Sequence, residues 1–179
     1  RVSAASAQGL PIAATVNRKK FKAIFVDVGL VSASLGLQMS SELKAGDLVL
    51  ANSGAIAEQA IGQLLRTVGL YYMDPALHYW ARDKRGSEAE VDYLIQCGQT
   101  VVPIEIKAGS TGSLKSLHSL MSRKRLRFAA RMNSDLPSWV HVGHTLSDGR
   151  MTDYNLLSLP CYMAEQLPRL ASIATGVTS

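Results

Sequence analysis

Two apolar runs separated by a short turn carry carboxylates and a lysine at spacings that could do chemistry. Residues 88–95 read EAEVDYLI, and residues 101–107 read VVPIEIK. Side chains alternate between the two faces of a β-strand, so Glu105 and Lys107 must share one face of the second run. The two runs therefore predict a β-hairpin that carries Asp92, Glu105 and Lys107.

The same alternation assigns the faces of the first strand. One face is predicted to hold Val91, Tyr93 and Ile95, and the other to hold Glu90, Asp92 and Leu94. A turn at Gly98 and Gln99 sets Asp92 opposite Glu105, with Cβ atoms about 4.5–5.5 Å apart. Two carboxylates that close repel each other unless one is protonated or a cation lies between them.

A hard divalent cation resolves this conflict. Mg²⁺ prefers oxygen ligands and usually keeps several waters, so one or two carboxylates suffice to hold it. The backbone carbonyl of Ile106 could supply a further oxygen. Lys107, which follows Glu105 by two residues, could orient or deprotonate the attacking water or stabilise charge on a phosphate. With a metal that polarises the phosphoryl oxygen, these groups together predict phosphodiester hydrolysis.

Glu58 adds a further carboxylate from a predicted helix over residues 54–68. It shares a stripe at helical spacing with Gly54, Ile61, Gly62 and Leu65. A carboxylate on a face intended for burial is costly unless it is paired or bound to a metal. If it faces the hairpin, Glu58 could bind the metal or hold one of its waters.

Each of these residues also has an ordinary structural explanation. Asp92, Glu105 and Lys107 could form a solvated strand face with a Lys–Glu pair, which contributes little to stability. Glu58 alone is more often a helix-edge residue. Glu90 is expected to be a surface charge, although it shares the face of Asp92 and could replace it. The set of three residues with its flanking apolar alternation favours a site.

Further elements must hold the hairpin and this helix together. The apolar pattern predicts helices over 54–68, 113–121 and 160–173, a short helix or turn over 31–37, and strands over 21–26, 77–82, 89–96, 100–107, 126–132 and 139–142. This order indicates an α/β or α+β sandwich around a mixed sheet flanked by helices. Residues 1–20 are expected to be a linker or edge segment from a missing N-terminal region, and residues 21–179 to form one domain.

Composition narrows the class of protein. The chain has 179 residues, a net charge of +5 and a pI near 9.4, which suit one domain with either a nucleic-acid partner or an ordinary soluble surface. No stretch approaches the about 20 apolar residues of a membrane span. Cys97 and Cys161 show no zinc or disulfide pattern, which favours a reducing cytoplasm. His78, His141 and His144 match no zinc spacing and are interpreted as ordinary strand and loop histidines.

The densest basic cluster follows the predicted helix over 113–121. Five residues are predicted to contact the phosphate backbone of a nucleic acid: Arg82, Lys115, Arg123, Lys124 and Arg125. A solvated face is the equal alternative for the cluster, and a surface ion pair is the equal alternative for Arg82.

Motifs along most of the chain resemble one family. They are residues 25–30 (FVDVGL), 54–65 with Glu58, 79–82 (YWAR) followed by 90–95 (EVDYLI), 103–109 (PIEIKAG), 113–117 (SLKSL) and 159–165 (LPCYMAE). On these motifs the chain resembles the C-terminal domain of unknown function found in many bacterial and archaeal AAA+ family ATPases. That domain has the restriction-endonuclease-like, PD-(D/E)XK nuclease fold. An acidic-x-Lys triplet alone occurs by chance, but Asp92 before it and Glu58 upstream make the resemblance much more specific.

The resemblance implies an α/β fold with a restriction-endonuclease-like core and Mg²⁺ or Mn²⁺ as the cofactor. By analogy Glu58, Asp92 and Glu105 are metal ligands, and Lys107 is the catalytic lysine. It also implies DNA as the substrate and an AAA+ ATPase module on the N-terminal side in the full-length chain. The sequence has no Gly-rich loop ending in Gly-Lys-Ser/Thr, so ATP binding through a P-loop is not expected.

Three functions follow as expectations. The first is a metal-dependent nuclease domain that acts on DNA. The second is a catalytically silent module that binds nucleic acid or docks a partner for the attached ATPase. The third is a purely structural domain whose carboxylates are surface residues.

Overall fold

A mixed β-sheet forms the centre of the fold. The computed structural model describes residues 1–34, 53–69, 72–83, 88–109 and 112–176. Its strands are β1 (Val2–Ala5), β2 (Val16–Lys22), β3 (His78–Arg82), β4 (Ala89–Cys97), β5 (Thr100–Ile106), β6 (Phe128–Asn133), β7 (Ser138–Thr145) and β8 (Met151–Pro160). They form a sheet in the order β2-β1-β3-β4-β5-β6-β8-β7. Strands β5, β6 and β8 are parallel, whereas β3, β4 and β5 are antiparallel neighbours.

Helices pack against both faces of the sheet. They are α1 (Val28–Ser34), α2 (Ser53–Thr67), α3 (Lys115–Lys124) and α4 (Leu167–Ala174), with 3-10 helices at Ile12–Thr15 and Cys161–Gln166. Asp27 caps α1, because its Oδ1 accepts the backbone N–H groups of Gly29 at 2.6 Å and Leu30 at 3.2 Å. Among the described helices, none is long and apolar enough to cross a membrane.

Two apolar cores lie on opposite faces of the sheet. On what we call the α2 face, Ile61 of α2 and Leu167 of α4 pack against Tyr93 and Ile104. On the α3 face, the buried side of α3 packs against Leu94 and its neighbours. The predicted α/β class, with a mixed sheet flanked by helices, is therefore confirmed.

The hairpin predicted around Gly98 and Gln99 is also confirmed. Strands β4 and β5 pair from Tyr93 with Ile104 to Cys97 with Thr100. Gly98 adopts a φ of 56°, a value that glycine reaches without the clash of a Cβ. The pairing ends at Tyr93 and Ile104, one residue short of Asp92 and Glu105, so the predicted opposition of these two carboxylates stays a prediction.

The predicted faces along β4 are wrong at Val91. The sequence pattern groups Val91 with Tyr93 and Ile95, but Val91 lies in the α3 core with Leu94, whereas Tyr93 and Ile95 lie in the α2 core. The pairing of β3 with β4 shifts register here, because β4 carries an extra residue. Such a bulge breaks the alternation of side chains, and it occurs at the level of Asp92.

The predicted strand over residues 21–26 is also wrong in its bounds, because β2 ends at Lys22. The backbone of the next residues bonds to helix α2 instead of a strand. The Gln59 side chain accepts the N–H of Phe25 at 3.1 Å and donates to the carbonyl of Ala23 at 3.0 Å. The predicted helix or turn over 31–37 begins earlier, at Val28, and its last three residues lie outside the described ranges.

The two ends of the chain differ from the pattern in other ways. Residues 1–20 contain β1, which lies between β2 and β3 in the sheet, and most of the edge strand β2. Strand β8 was not predicted, since its second half is buried on both faces and does not alternate. The final helix predicted over 160–173 begins as the 3-10 helix Cys161–Gln166. The remaining predicted helices and strands are confirmed to within a few residues.

Candidate metal centre

Three carboxylates converge where α2 crosses β4. Glu58, Glu90 and Asp92 each offer an oxygen within 4.8 Å of the oxygens of the other two. Glu58 belongs to α2, whereas Glu90 and Asp92 belong to β4. The sequence predicted Glu58 and Asp92 at this point and expected Glu90 on the surface; Glu90 is half exposed but belongs to the cluster. Carboxylate oxygens at this spacing match the ligand preference of hard divalent cations.

Helix α2 lies unusually close to β4 because of a glycine one turn after Glu58. A Cβ at Gly62 would collide with the ring of Tyr93 and with Ile24. The Tyr93 hydroxyl donates a hydrogen bond to the carbonyl oxygen of Glu58 at 2.8 Å. This bond fixes the helix turn that carries Glu58 above the strand that carries Asp92.

Asp92 is held by the backbone of the neighbouring strand. Its Oδ2 accepts the N–H of Ile106 at 2.7 Å. Burial raises the pKa of Asp92 to about 6, and Glu58 adds to the rise, although the Ile106 hydrogen bond acts against it. Ile106, predicted as a carbonyl ligand, thus contacts the site in this structure through its amide.

Glu105 lies deeper than Asp92 and on the other side of β5. Because Ile104 and Ile106 belong to the α2 core, alternation directs Glu105 to the α3 face. It is 5% exposed, and burial, followed by the charge of Asp92, raises the pKa of Glu105 to about 7. Its carboxylate is therefore coupled to Asp92 without joining the three-oxygen cluster.

Lys107 completes the predicted acidic-x-Lys motif. Its Nζ donates to Oε1 of Glu105 at 2.7 Å. The other oxygen of Glu105, Oε2, is buried and has no hydrogen-bond partner among the described residues. A buried carboxylate oxygen without a partner loses its hydration and gains no hydrogen bond in exchange, and a cation in contact with this atom would offset that cost.

A second lysine, which the sequence pattern did not indicate, lies inside the acidic cluster. Lys22 Nζ is 2.7 Å from Oε1 of Glu58 and 2.6 Å from Oε1 of Glu90. It is also 3.5 Å from the carbonyl oxygen of Asp92 and 4.9 Å from the centre of the Tyr79 ring. Lys22 therefore reaches from the end of β2 across β1 and β3 to β4.

The ammonium group of Lys22 neutralises part of the cluster. Burial acts to lower the pKa of Lys22, but the hydrogen bonds and charges of Glu58 and Glu90 outweigh it and raise the pKa. In the sequence, Lys22 follows Lys19 and Lys20 in one basic run. Its spacing does not distinguish it from these exposed residues, because only the strand order of the sheet brings it to the site.

The residues predicted to bind nucleic acid lie together on the α3 face. Arg82, Lys115 and Arg123 line one cavity of about 390 Å³. Arg82 and Arg123 also line an adjoining open surface with Lys124 and Arg125. The structure thus brings all five residues to one side of the sheet.

Comparison with known proteins gives one family. Residues 53–162, more than half of the 179 residues, match a family described as a domain of unknown function, DUF4143. The matched segment includes Glu58, Asp92, Glu105 and Lys107, whereas Lys22 precedes it. No protein with a curated description matches the chain. The chain belongs to the DUF4143 family.

Proposed function

We propose that this chain is a metal-dependent nuclease domain that hydrolyses DNA phosphodiesters. The observation that carries the proposal is the coupled pair of carboxyl groups, Asp92 and Glu105, beside Lys107. Their pKa values are raised to about 6 and about 7, and Oε2 of Glu105 has no partner within the described ranges. Such a set is costly to bury unless positive charge joins it, and its oxygens suit a hard cation.

The residues present fit Mg²⁺ or Mn²⁺. Asp92 would be the central ligand of the ion. Glu58 and Glu90 would join it from the acidic cluster, Glu105, which is coupled to Asp92 by charge, from the other side of β5, and the Ile106 carbonyl would add a further oxygen. When bound, such an ion neutralises the carboxylates, polarises a phosphoryl oxygen and lowers the pKa of water.

The chain's own groups would then position the DNA strand. Lys107 holds its ammonium 2.7 Å from Glu105, where it would donate hydrogen bonds to a phosphate oxygen as negative charge develops. The N–H of Ile106 keeps Asp92 oriented. Arg82, Lys115, Arg123, Lys124 and Arg125 would bind the phosphate backbone on the α3 face.

The proposal includes a restriction-endonuclease-like core and an AAA+ ATPase context. The order of elements from α2 through β3, β4, β5 and α3 to β6 supports the first, since the acidic cluster and the acidic-x-Lys motif lie at its centre. The sequence resemblance supports the second. We expect ATP hydrolysis by an N-terminal AAA+ module to control the domain, which is tested by comparing DNA cleavage by the full-length protein with and without ATP.

A second candidate function is a catalytically silent module that binds nucleic acid or docks a partner for the ATPase. The contact of Lys22 with Glu58 and Glu90 favours it, because an ammonium group already neutralises part of the cluster. Such a module need not bind Mn²⁺. Metal binding therefore separates the two candidates.

The test is cleavage of supercoiled plasmid and of single-stranded DNA in Mn²⁺. We expect Asp92→Ala and Lys107→Ala each to lower the cleavage rate at least about 100-fold. Asp92→Ala removes a metal ligand, and Lys107→Ala removes a positive charge at the reacting phosphate. Lys19→Ala, which removes an exposed lysine of β2, is the matched control and should cleave as the wild type does. Circular dichroism shows whether the variants keep their fold.

Other results would reject the assignment. Equal cleavage by all four proteins would point to a contaminating nuclease. A wild type that neither cleaves DNA nor gains thermal stability from Mn²⁺ would favour the silent module.

A further inference from the structure

A cavity on the α3 face lies beside helix α3. Its volume is about 390 Å³, within the range of small-ligand sites. Side chains from α3, the end of β3, the start of β4, the end of β7 and the turn before β8 line it. The principal polar ones are Arg82, Lys115, His118, Arg123, His144 and Arg150.

The charges around this cavity do not balance among the residues that the structure describes. Four cationic side chains of these residues line it, against the carboxylates of Glu88 and Asp148. Asp148 is already engaged, since its Oδ2 accepts Arg150 Nε at 2.9 Å and Nη2 at 2.5 Å. Burial, followed by the charges of Arg123 and Arg150, lowers the pKa of Arg82. An anion in the cavity would relieve this repulsion.

Two histidine rings lie in the same wall. The rings of His118 and His144 are stacked with centroids 4.1 Å apart. Nδ1 of His118 lies 3.1 Å from the hydroxyl of Tyr154, and the direction of this hydrogen bond depends on the tautomer of the ring. In the tautomer in which the hydroxyl donates to Nδ1, the ring carries its proton on Nε2 and can donate it in a hydrogen bond to a ligand oxygen.

The hydroxyl of Tyr154 is coupled to both the cavity and the candidate metal centre. Tyr154 is 1% exposed, its hydroxyl is bonded to His118 of the cavity wall, and the charge of Glu105 contributes to the rise of its pKa.

We propose that this cavity is a phosphate-binding subsite that holds one backbone phosphate of the bound nucleic acid. Guanidinium groups suit phosphate because they donate parallel hydrogen bonds to two of its oxygens, and the cavity presents three of them with Lys115 and His118. Nucleic acid as the source of the phosphate rests on the proposed function. His118, His144 and Arg150 are the residues that this subsite adds to the predicted contact surface.

The test measures binding in EDTA, so that cleavage plays no part. Inorganic pyrophosphate is titrated by calorimetry, and a labelled single-stranded DNA 12-mer by fluorescence anisotropy. We expect Arg123→Ala and Arg150→Ala each to weaken the binding of both probes at least about tenfold, as the loss of one charge-assisted hydrogen bond requires. Arg169→Ala removes an exposed arginine of α4 and should leave both affinities unchanged.

The outcomes separate this proposal from the nuclease proposal. Wild-type affinities of Arg123→Ala and Arg150→Ala for both pyrophosphate and DNA would overturn the subsite. Weaker pyrophosphate binding with unchanged DNA binding would overturn the nucleic-acid source and indicate a free phosphate compound. If both variants bind both probes more weakly and the wild type does not cleave DNA, the result would support the subsite and contradict only the nuclease proposal.

Discussion

The charged side chains on the two faces of the sheet are neutralised to different degrees. On the α2 face, Glu58 and Glu90 enclose the ammonium of Lys22 at 2.7 and 2.6 Å. On the α3 face, the described cations around the cavity outnumber the described carboxylates, and Asp148 is bonded to Arg150. The acidic cluster is partly neutralised by a lysine of the protein itself, whereas the cavity keeps an excess of positive charge that a ligand can neutralise.

This difference determines what each face can accept. A cation that enters the acidic cluster must displace Lys22 or share the carboxylates with it, whereas an anion that enters the cavity displaces water. Glu105 shares features of both faces. Lys107 donates a hydrogen bond to one of its carboxylate oxygens, and the other oxygen has no hydrogen-bond partner within the described part of the chain.

The largest expected effect comes from removing the lysine that closes the acidic cluster. Lys22→Met leaves Glu58 and Glu90 without their shared cation, so we expect the free energy of unfolding in EDTA to fall by about 2 kcal/mol. The loss is smaller than for a fully buried pair because Glu90 is half exposed. Mn²⁺ should then stabilise the variant more than it stabilises the wild type, because the ion takes over the role of the ammonium. Urea denaturation with and without Mn²⁺ measures both quantities.

A lysine of the same strand provides the control. Lys20 pairs with Asp83, and both side chains are well exposed, so Lys20→Met should change the free energy of unfolding by less than about 0.5 kcal/mol. If Lys22→Met proves as stable as Lys20→Met, the contrast between the two faces is wrong.

An effect of similar size and opposite sign is expected at Glu105. Its pKa in the folded protein is about 7 against an ordinary 4.5, so folding binds a proton, and this stabilisation is present below about pH 4.5 and lost as the pH rises through about 7. Glu105→Gln cannot lose that proton. In the absence of metal it should raise the free energy of unfolding by about 2 kcal/mol at pH 8.

The pH dependence identifies the cause of that gain. Urea denaturation between pH 5 and pH 8 should show the advantage of Glu105→Gln shrinking toward acid pH, whereas the exposed Glu165→Gln should show no trend. A Glu105→Gln variant that is less stable than the wild type at pH 8 would mean that Lys107 keeps Glu105 ionised as a structural ion pair. The carboxylate would then not be poised for a cation.

The sequence could predict those contacts that residues close together in the chain determine. A two-residue turn fixes the register of β4 and β5, which pair as far as Tyr93 and Ile104, the residues next to Asp92 and Glu105. Helical spacing places Glu58 over this hairpin, and alternation places Lys107 beside Glu105. These contacts follow from local periodicity, so they needed no knowledge of the sheet order.

What the sequence could not predict depends on distant parts of the chain. Lys22 reaches the site only because β1 and β3 lie between β2 and β4. The stacked pair of His118 and His144 requires β7 to pair with β8, a strand whose buried half does not alternate. The bulge at the level of Asp92 arises from the pairing with β3. Each of these is a long-range contact that has no period in the sequence.

The smallest expected effect concerns the carboxylate at the rim of the α3 cavity. Asp148→Asn removes a negative charge that opposes an incoming anion, so pyrophosphate should bind about threefold more tightly. Because Asp148 is exposed, thermal stability should not change. Asp153→Asn, at an exposed position of β8 outside the cavity, is the matched control and should leave the affinity unaltered. Weaker binding by Asp148→Asn would instead show that Asp148 holds Arg150 in position, because the guanidinium would then need its carboxylate partner in order to meet the phosphate.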